Sequence, residues 1–398
     1  MSMFVSCVNI SKIDYTDDST TESIIYNSNT TPSVSLDRII EDYSYVKLET
    51  NDNCLIGNID ELLFVDSLII VVDRKISKSI FVFDHDGKFK NNISHIGNGP
   101  NEFLYINHVA LTNNGNVCVQ DNIKGKLFYF KPDGTYIKSI DNPINNIGFE
   151  FVSSNSIIFN VQDCTTSNGK RAIDESNFVI TDSFLKPIFV YGKDYAFKNN
   201  DYHLSKEKSI FKYENEVYFL NGFENNVYQI TSDNSINIKY ELHCEPEELA
   251  TPKENDYESD EAMLSLQKNK PNFNDGFIEC RDFTYVEFSG KNIKYPDLLY
   301  IHDTKQTISI SDTIQNPVFL LFNPCTSSGN NTLVSIGSPS YIQMLNRRYN
   351  TDEICDLNEG ISVDSNPILI FYHINVSLPL SCKNIAGTKF GNPPKEGA

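Results

Sequence analysis

Apolar and polar positions alternate along this chain in short bursts of about four to six residues, each closed by Gly, Asn or Asp. Two of these bursts nearly repeat. Ile80-Phe81-Val82-Phe83-Asp84-His85-Asp86-Gly87-Lys88-Phe89 is followed 47 residues later by Leu127-Phe128-Tyr129-Phe130-Lys131-Pro132-Asp133-Gly134-Thr135-Tyr136. Each reads as a strand, a tight Asp-Gly turn and a second strand, with glycine supplying the positive φ of the turn. Self-similarity at this period is the mark of a radially repeated all-β fold.

The pattern around each copy predicts four strands. The first set is Glu61 to Val65, Leu68 to Asp73, Ile80 to Asp84 and Lys88 to Ile93. The second is His108 to Thr112, Asn116 to Asp121, Leu127 to Lys131 and Tyr136 to Ile140. Worn copies of the third strand follow at Phe178-Val179-Ile180-Thr181, Val227-Tyr228-Gln229-Ile230, Leu299-Tyr300-Ile301-His302 and Ile370-Phe371-Tyr372-His373. Six equivalent strands predict an all-β, six-bladed β-propeller of four-stranded antiparallel blades. Open sheet edges invite aggregation, so the ring has to close. The predicted clasp is an N-terminal strand, Tyr45 to Glu49, completing the last blade beside Pro367 to His373.

Between these strands lie other kinds of segment. Residues 8 to 35 are rich in Ser, Thr, Asn and Asp and read as a flexible tether. The propeller then spans 36–376, with a charged insertion near 245–275 in which Ser259 to Leu266 resembles a capped helix start. Residues 377–398 read as an irregular tail.

Composition narrows the function classes. With 26 Phe, 21 Tyr and no Trp, the aromatic content favours strands and offers a glycan no indole platform. The net charge is −20 and no basic stripe exists, so a nucleic-acid partner is excluded. The nine cysteines contain no C-x-x-C pair. Cys118, in an alternating apolar run, reads as a small core residue. No run of about 18 apolar residues occurs. Met3-Phe4-Val5-Ser6-Cys7 is similar to the end of a bacterial lipoprotein signal, although the charged and apolar regions that precede such a cysteine are missing.

A family resemblance rests on four stretches. They are Val46-Lys47-Leu48-Glu49-Thr50, Leu55-Ile56-Gly57-Asn58-Ile59, Ile96-Gly97-Asn98-Gly99-Pro100-Asn101-Glu102-Phe103 and Asn366-Pro367-Ile368-Leu369-Ile370. Together they resemble the six-bladed, NHL-repeat-like propeller lipoproteins of gut Bacteroidetes. The chain departs from the family's Gly-x-Gly-Pro-Gly-Glu-aromatic loop at Asn101, a residue that tolerates left-handed backbone. The resemblance implies export to the periplasm or outer membrane, anchored by a lipid on Cys7. It implies no reaction. Asp18-Ser19-Thr20 also resembles an O-glycosylation triplet of that phylum.

Candidate chemistry clusters on one predicted face. Strand two of successive blades ends in an acid or amide: Asp73, Asp121, Asp163 and Asn221. Asp and Asn there cap turns through the backbone, or as a ring could offer oxygen ligands to Ca²⁺. The inter-blade loop carries His95, Asn98, Glu102 and Tyr105 and leads to His108. These are the candidate ligand-binding residues, together with Asp73 and Asp121. Gly99→Val is expected to lower the melting temperature, because a β-branched residue resists unusual backbone angles. No nucleophile, metal or phosphate motif is present. The expectation is a non-catalytic propeller that binds a glycan, peptide or protein partner in nutrient capture or as a complex subunit. The alternative is a metal-dependent hydrolase or lyase with its site in the central channel.

Overall fold

The computed structural model describes residues 11–12, 21–144, 146–161, 177–191, 209–220, 224–249, 265, 270–289 and 295–377. Six separate sheets form, one per blade, and the chain is a six-bladed propeller. Blade 1 is built from Glu61–Val65, Leu68–Asp73, Ser79–Asp84 and Phe89–Ile93. Blade 2 is built from His108–Leu111, Val117–Asp121, Lys126–Phe130 and Tyr136–Asp141. Both match the strands expected from sequence. The worn copies also fall where expected, as third strands Phe178–Asp182, Asn226–Ile230, Leu298–Ile301 and Ile368–Ile374 of blades 3 to 6. First strands of neighbouring blades touch one another, so they line the central channel.

Closure uses Ile40–Lys47 as the outer strand of blade 6, antiparallel to Ile368–Ile374. Tyr45 faces Ile370 and Lys47 faces Ile368 in that register. The predicted tether differs from expectation. Glu22–Asn27 lies parallel to the outer strand of blade 4 and Ser33–Val34 parallel to that of blade 5. Ser11–Lys12 does the same on blade 3. An arm that buries only one row of side chains needs few apolar residues, and Ile24 supplies the fully buried one.

The core is divided among the seams between blades. Ile70, Val72 and Val82 meet Val109, Val119 and Phe128 between blades 1 and 2. Leu62, Val71 and Phe81 meet Val334 and Leu369 where the ring closes. Cys118 is fully buried in the next seam, beside Phe149 and Phe159. The long gap before the sixth copy is filled inside blade 6, between its second and third strands, by helices Pro339–Tyr349 and Asp352–Asn358. Ser338 caps the first by accepting the Tyr341 N–H, Pro339 opens it, and left-handed Asn350 ends it. Ile342, Leu345, Ile354 and Leu357 fasten both helices to the seam between blades 5 and 6.

The Ser259 to Leu266 segment, apart from Ser265, lies outside the described residues, as do Cys7, the Asp18 triplet, Asp163, Asn221 and the 378–398 tail. Among the described residues, no helix is long and apolar enough to cross a membrane.

Candidate functional site

The residues singled out in the sequence lie on the face formed by strand two-to-three turns and inter-blade loops. Asp73 and Asp121 end the second strands of their blades and are fully buried. Asp73 accepts N–H groups of Gly57 at 2.8 Å, Asn58 at 3.1 Å and Ile76 at 3.0 Å. Asp121 accepts those of Leu104 at 2.6 Å, Ile123 at 2.8 Å and Lys124 at 3.0 Å. Each carboxylate thus ties its own turn to the loop arriving from the previous blade. Burial works to raise the pKa of Asp73, but the hydrogen bonds it accepts outweigh burial and hold it below the usual carboxylate value.

The 94–106 loop is organised in the same way. Glu102 folds back to accept the Gly99 N–H at 2.7 Å, and Lys124 donates to the carbonyls of Gly99 and Glu102 at 3.1 and 2.6 Å. A Cβ on Gly99 would sit 2.9 Å from the Glu102 carboxyl carbon. Gly99 is outside the left-handed region, so the expected strain does not come from its backbone angle; an added side chain would meet only the end of the Glu102 side chain, which can move. His95 stacks on Phe130 with ring centroids 5.1 Å apart, and His108 meets Phe149 edge-on at 5.2 Å. Asn98 is exposed and Tyr105 half-buried. The loop is therefore joined to Asp121 through Leu104 and Lys124, while Asp73 serves a separate junction. The same face exposes several aliphatic side chains, among them Leu55, Ile76, Ile96 and Ile123.

A cavity opens on the opposite face. It has a volume of about 620 Å³ and is walled by the ends of first strands and the turns that follow them in blades 1, 2, 3, 4 and 6. Two charged side chains occupy equivalent places in its wall. Glu150 is the third residue of Gly148–Phe151, the first strand of blade 3. Lys212 is the third residue of Ile210–Tyr213, the first strand of blade 4. Their flanking aromatics, Phe149 with Phe151 and Phe211 with Tyr213, pack into seams and leave the charges at the cavity. Lys212 Nζ lies 3.6 Å from Glu150 Oε1 and donates to the Phe151 carbonyl at 2.9 Å and to Asn113 Oδ1 at 3.3 Å. Burial pushes the Glu150 carboxyl above its usual pKa, against the pull of the Lys212 ammonium.

Among the described residues, none from blade 5 lines the cavity. The Tyr213 hydroxyl reaches the Asn330 carbonyl in blade 6 at 3.5 Å. Burial, with Glu214, Cys280 and Glu279 nearby, pushes that hydroxyl up to about 12. The signal for this mouth was present in the sequence as two aromatic-charge-aromatic triplets, Phe149-Glu150-Phe151 and Phe211-Lys212-Tyr213. Its meaning depends on strand register in the two worn blades, which sequence alone did not supply.

Among the described residues, no group of three or more His, Cys, Asp or Glu side chains is placed to hold a metal ion. Fold and cavity together define a six-bladed β-propeller with a polar, open channel mouth. Residues 20–373 match the family described as "Domain of unknown function (DUF4934)", and the chain belongs to that family. A protein from Bacteroides fragilis NCTC 9343 that is taken to be exported has the same fold. Its TM-score is 0.72 at 20% identity, over 88% of this chain and 99% of its own. A member of the DUF4221 family from Bacteroides vulgatus ATCC 8482 gives a TM-score of 0.49 at 12% identity, over 85% of this chain and 97% of its own. No curated protein matches the chain.

Proposed function

We propose that this chain is an exported, non-catalytic propeller that captures a glycan, peptide or protein segment at the strand one-to-two mouth of its channel. The observation that carries this reading is the cavity of about 620 Å³ with the Glu150–Lys212 pair in its wall. Ligand sites are concave, with a few placed polar groups, and this mouth has that character. Export and anchoring through Cys7 belong to the same reading, supported by the likeness to lipoprotein propellers. Metabolic labelling with a fatty acid tests the anchor, and an unlabelled full-length protein would end it.

A thermal-shift and anisotropy screen with neutral oligosaccharides and short peptides tests the mouth. Asn113→Trp, at the rim, is expected to abolish saturable binding while leaving the melting temperature near wild type. Binding that survives Asn113→Trp sinks the proposal. A second reading uses the opposite face, where Leu55, Ile76, Ile96 and Ile123 favour a protein partner. A partner recovered by wild type but lost with the double change Ile76→Ser and Ile123→Ser would select it.

A further inference from the structure

We infer that the mouth selects a peptide carrying a basic side chain, with its ammonium or guanidinium group at Glu150 and a neighbouring apolar side chain in a cleft between blades 1 and 6. This deepens the proposed function and rests on the mouth being the binding site.

The first support is the balance of charge. The mouth is lined by three carboxylates, Asp66, Glu150 and Glu214, and by one cation, Lys212. Asp66 and Glu214 stand exposed on the rim. Lys212 is engaged within the protein: it donates to the Phe151 carbonyl and Asn113 Oδ1 and lies 3.6 Å from Glu150 Oε1. Glu150 is in the opposite condition. Its Oε1 accepts the Phe151 N–H at 3.0 Å and faces Lys212, while no described donor reaches Oε2. A partly buried carboxylate oxygen that faces the mouth favours a ligand that brings a donor, and a charged donor most of all. Glu61, already paired with Arg74, adds to the negative field at Glu150. The net charge of −20 steers cations toward the molecule at long range.

The second support is shape. A cleft of about 260 Å³ adjoins the mouth and shares Phe64 and Asp66 with it. Its apolar wall comes from Val46, Phe64, Leu68, Ile69 and Phe371, at the seam where the ring closes. A cationic group and an apolar group held side by side describe a peptide better than a neutral glycan, which brings neither charge nor an aliphatic side chain. A lone metal cation is a poor fit, because among the described residues no group of three or more His, Cys, Asp or Glu side chains surrounds Glu150.

The test uses blocked, fluorescein-labelled hexapeptides of alanine with one lysine placed two residues from one leucine, titrated by anisotropy. Lysine→glutamine in the peptide is expected to weaken binding about tenfold or more, and lysine→glutamate to remove it. Leucine→alanine is expected to weaken it several-fold. In the protein, Glu150→Gln keeps the shape of the side chain and is expected to cost about tenfold. The exposed double change Asp66→Asn and Glu214→Gln, which leaves the fold intact, is expected to cost about threefold and to flatten the salt dependence. If a neutral oligosaccharide or the glutamine peptide binds as tightly as the lysine peptide, and Asn113→Trp removes it, the mouth stands and the inference of a basic ligand falls. If lysine-peptide binding is indifferent to both Glu150→Gln and Asn113→Trp, both readings fall. No saturable binding by any member of the series likewise overturns the inference.

Discussion

Asp73 shows how a single buried carboxylate can join two blades. It gathers three backbone N–H groups from two segments, and these lose their acceptor if it is removed. Asp73→Ala is expected to cost about 2–4 kcal/mol, because unpaired buried donors carry their full desolvation penalty. Chemical denaturation measures this, and a loss within about 0.5 kcal/mol would discard the argument. A second residue-scale prediction concerns Glu279. It accepts hydrogen bonds from Tyr240 at 2.9 Å and Thr284 at 2.7 Å and lies 3.7 Å from His302 Nε2. Burial pushes its carboxyl up to about 7, although both hydrogen bonds pull it down. A raised carboxyl favours the folded state at low pH. That contribution is complete below the ordinary Glu value and is lost as pH rises through about 7. His302 works the other way, its pKa lowered chiefly by burial. Between pH 5 and pH 8 the variant is expected to gain on wild type by on the order of 3 kcal/mol. Parallel stability curves for the two proteins would show that Glu279 is not titrating. The turn-capping role of Asp73 and Asp121 was legible in the sequence, since the chemistry is local. The Glu279 cluster was not, because Tyr240 and Thr284 come from strands of two blades and His302 from the turn after Leu298–Ile301.

Among the elements, the N-terminal arm departs most from its sequence. Its Ser, Thr and Asn content describes a chain that cannot build its own core. It needs none, because blades 4 and 5 offer finished edges to which it adds parallel strands. Covering these edges also removes a site for unwanted pairing. Ile24 stands opposite Leu242 and packs with Phe211, Tyr218, Tyr240 and Phe277 in the seam between blades 4 and 5. Ile24→Ala is expected to cost about 2–4 kcal/mol and to speed amide exchange in Tyr240 to Cys244. Unchanged exchange there would mean that the arm is only a passenger. The blade 6 helices were hidden for a related reason. Their stop and start signals are local, but the reason they interrupt a blade is the space above the seam that Ile342, Leu345, Ile354 and Leu357 fill.

At the scale of the whole molecule, closure decides whether six sheets behave as one body. Ile40–Lys47 is the strand that joins the two ends of the chain. Lys47 also donates to the carbonyls of Asp356 and Glu359, at 3.2 and 2.7 Å, which fixes the inserted helices to the clasp. A chain beginning at Leu48 is expected to lose the single cooperative unfolding transition seen by near-ultraviolet circular dichroism. A wild-type melting curve from that chain would refute the clasp as the source of cooperativity.

The sequence by itself determined the repeat, the number of blades, the first two blades strand by strand and the existence of an N-terminal closing strand, which was expected at Tyr45 to Glu49 and runs instead over Ile40–Lys47. These follow from period-two alternation and turn chemistry, which are local and survive wear. Tertiary structure decided where the Glu150–Lys212 mouth forms. The turns carrying Asp73, Asp121 and Glu102 are rich in polar residues, yet those groups are consumed in holding neighbouring loops together. The open mouth belongs to Glu150 and Lys212, which are 62 residues apart and meet only because their strands stand side by side around the channel. Register between blades placed them there, and register is a property of the closed ring.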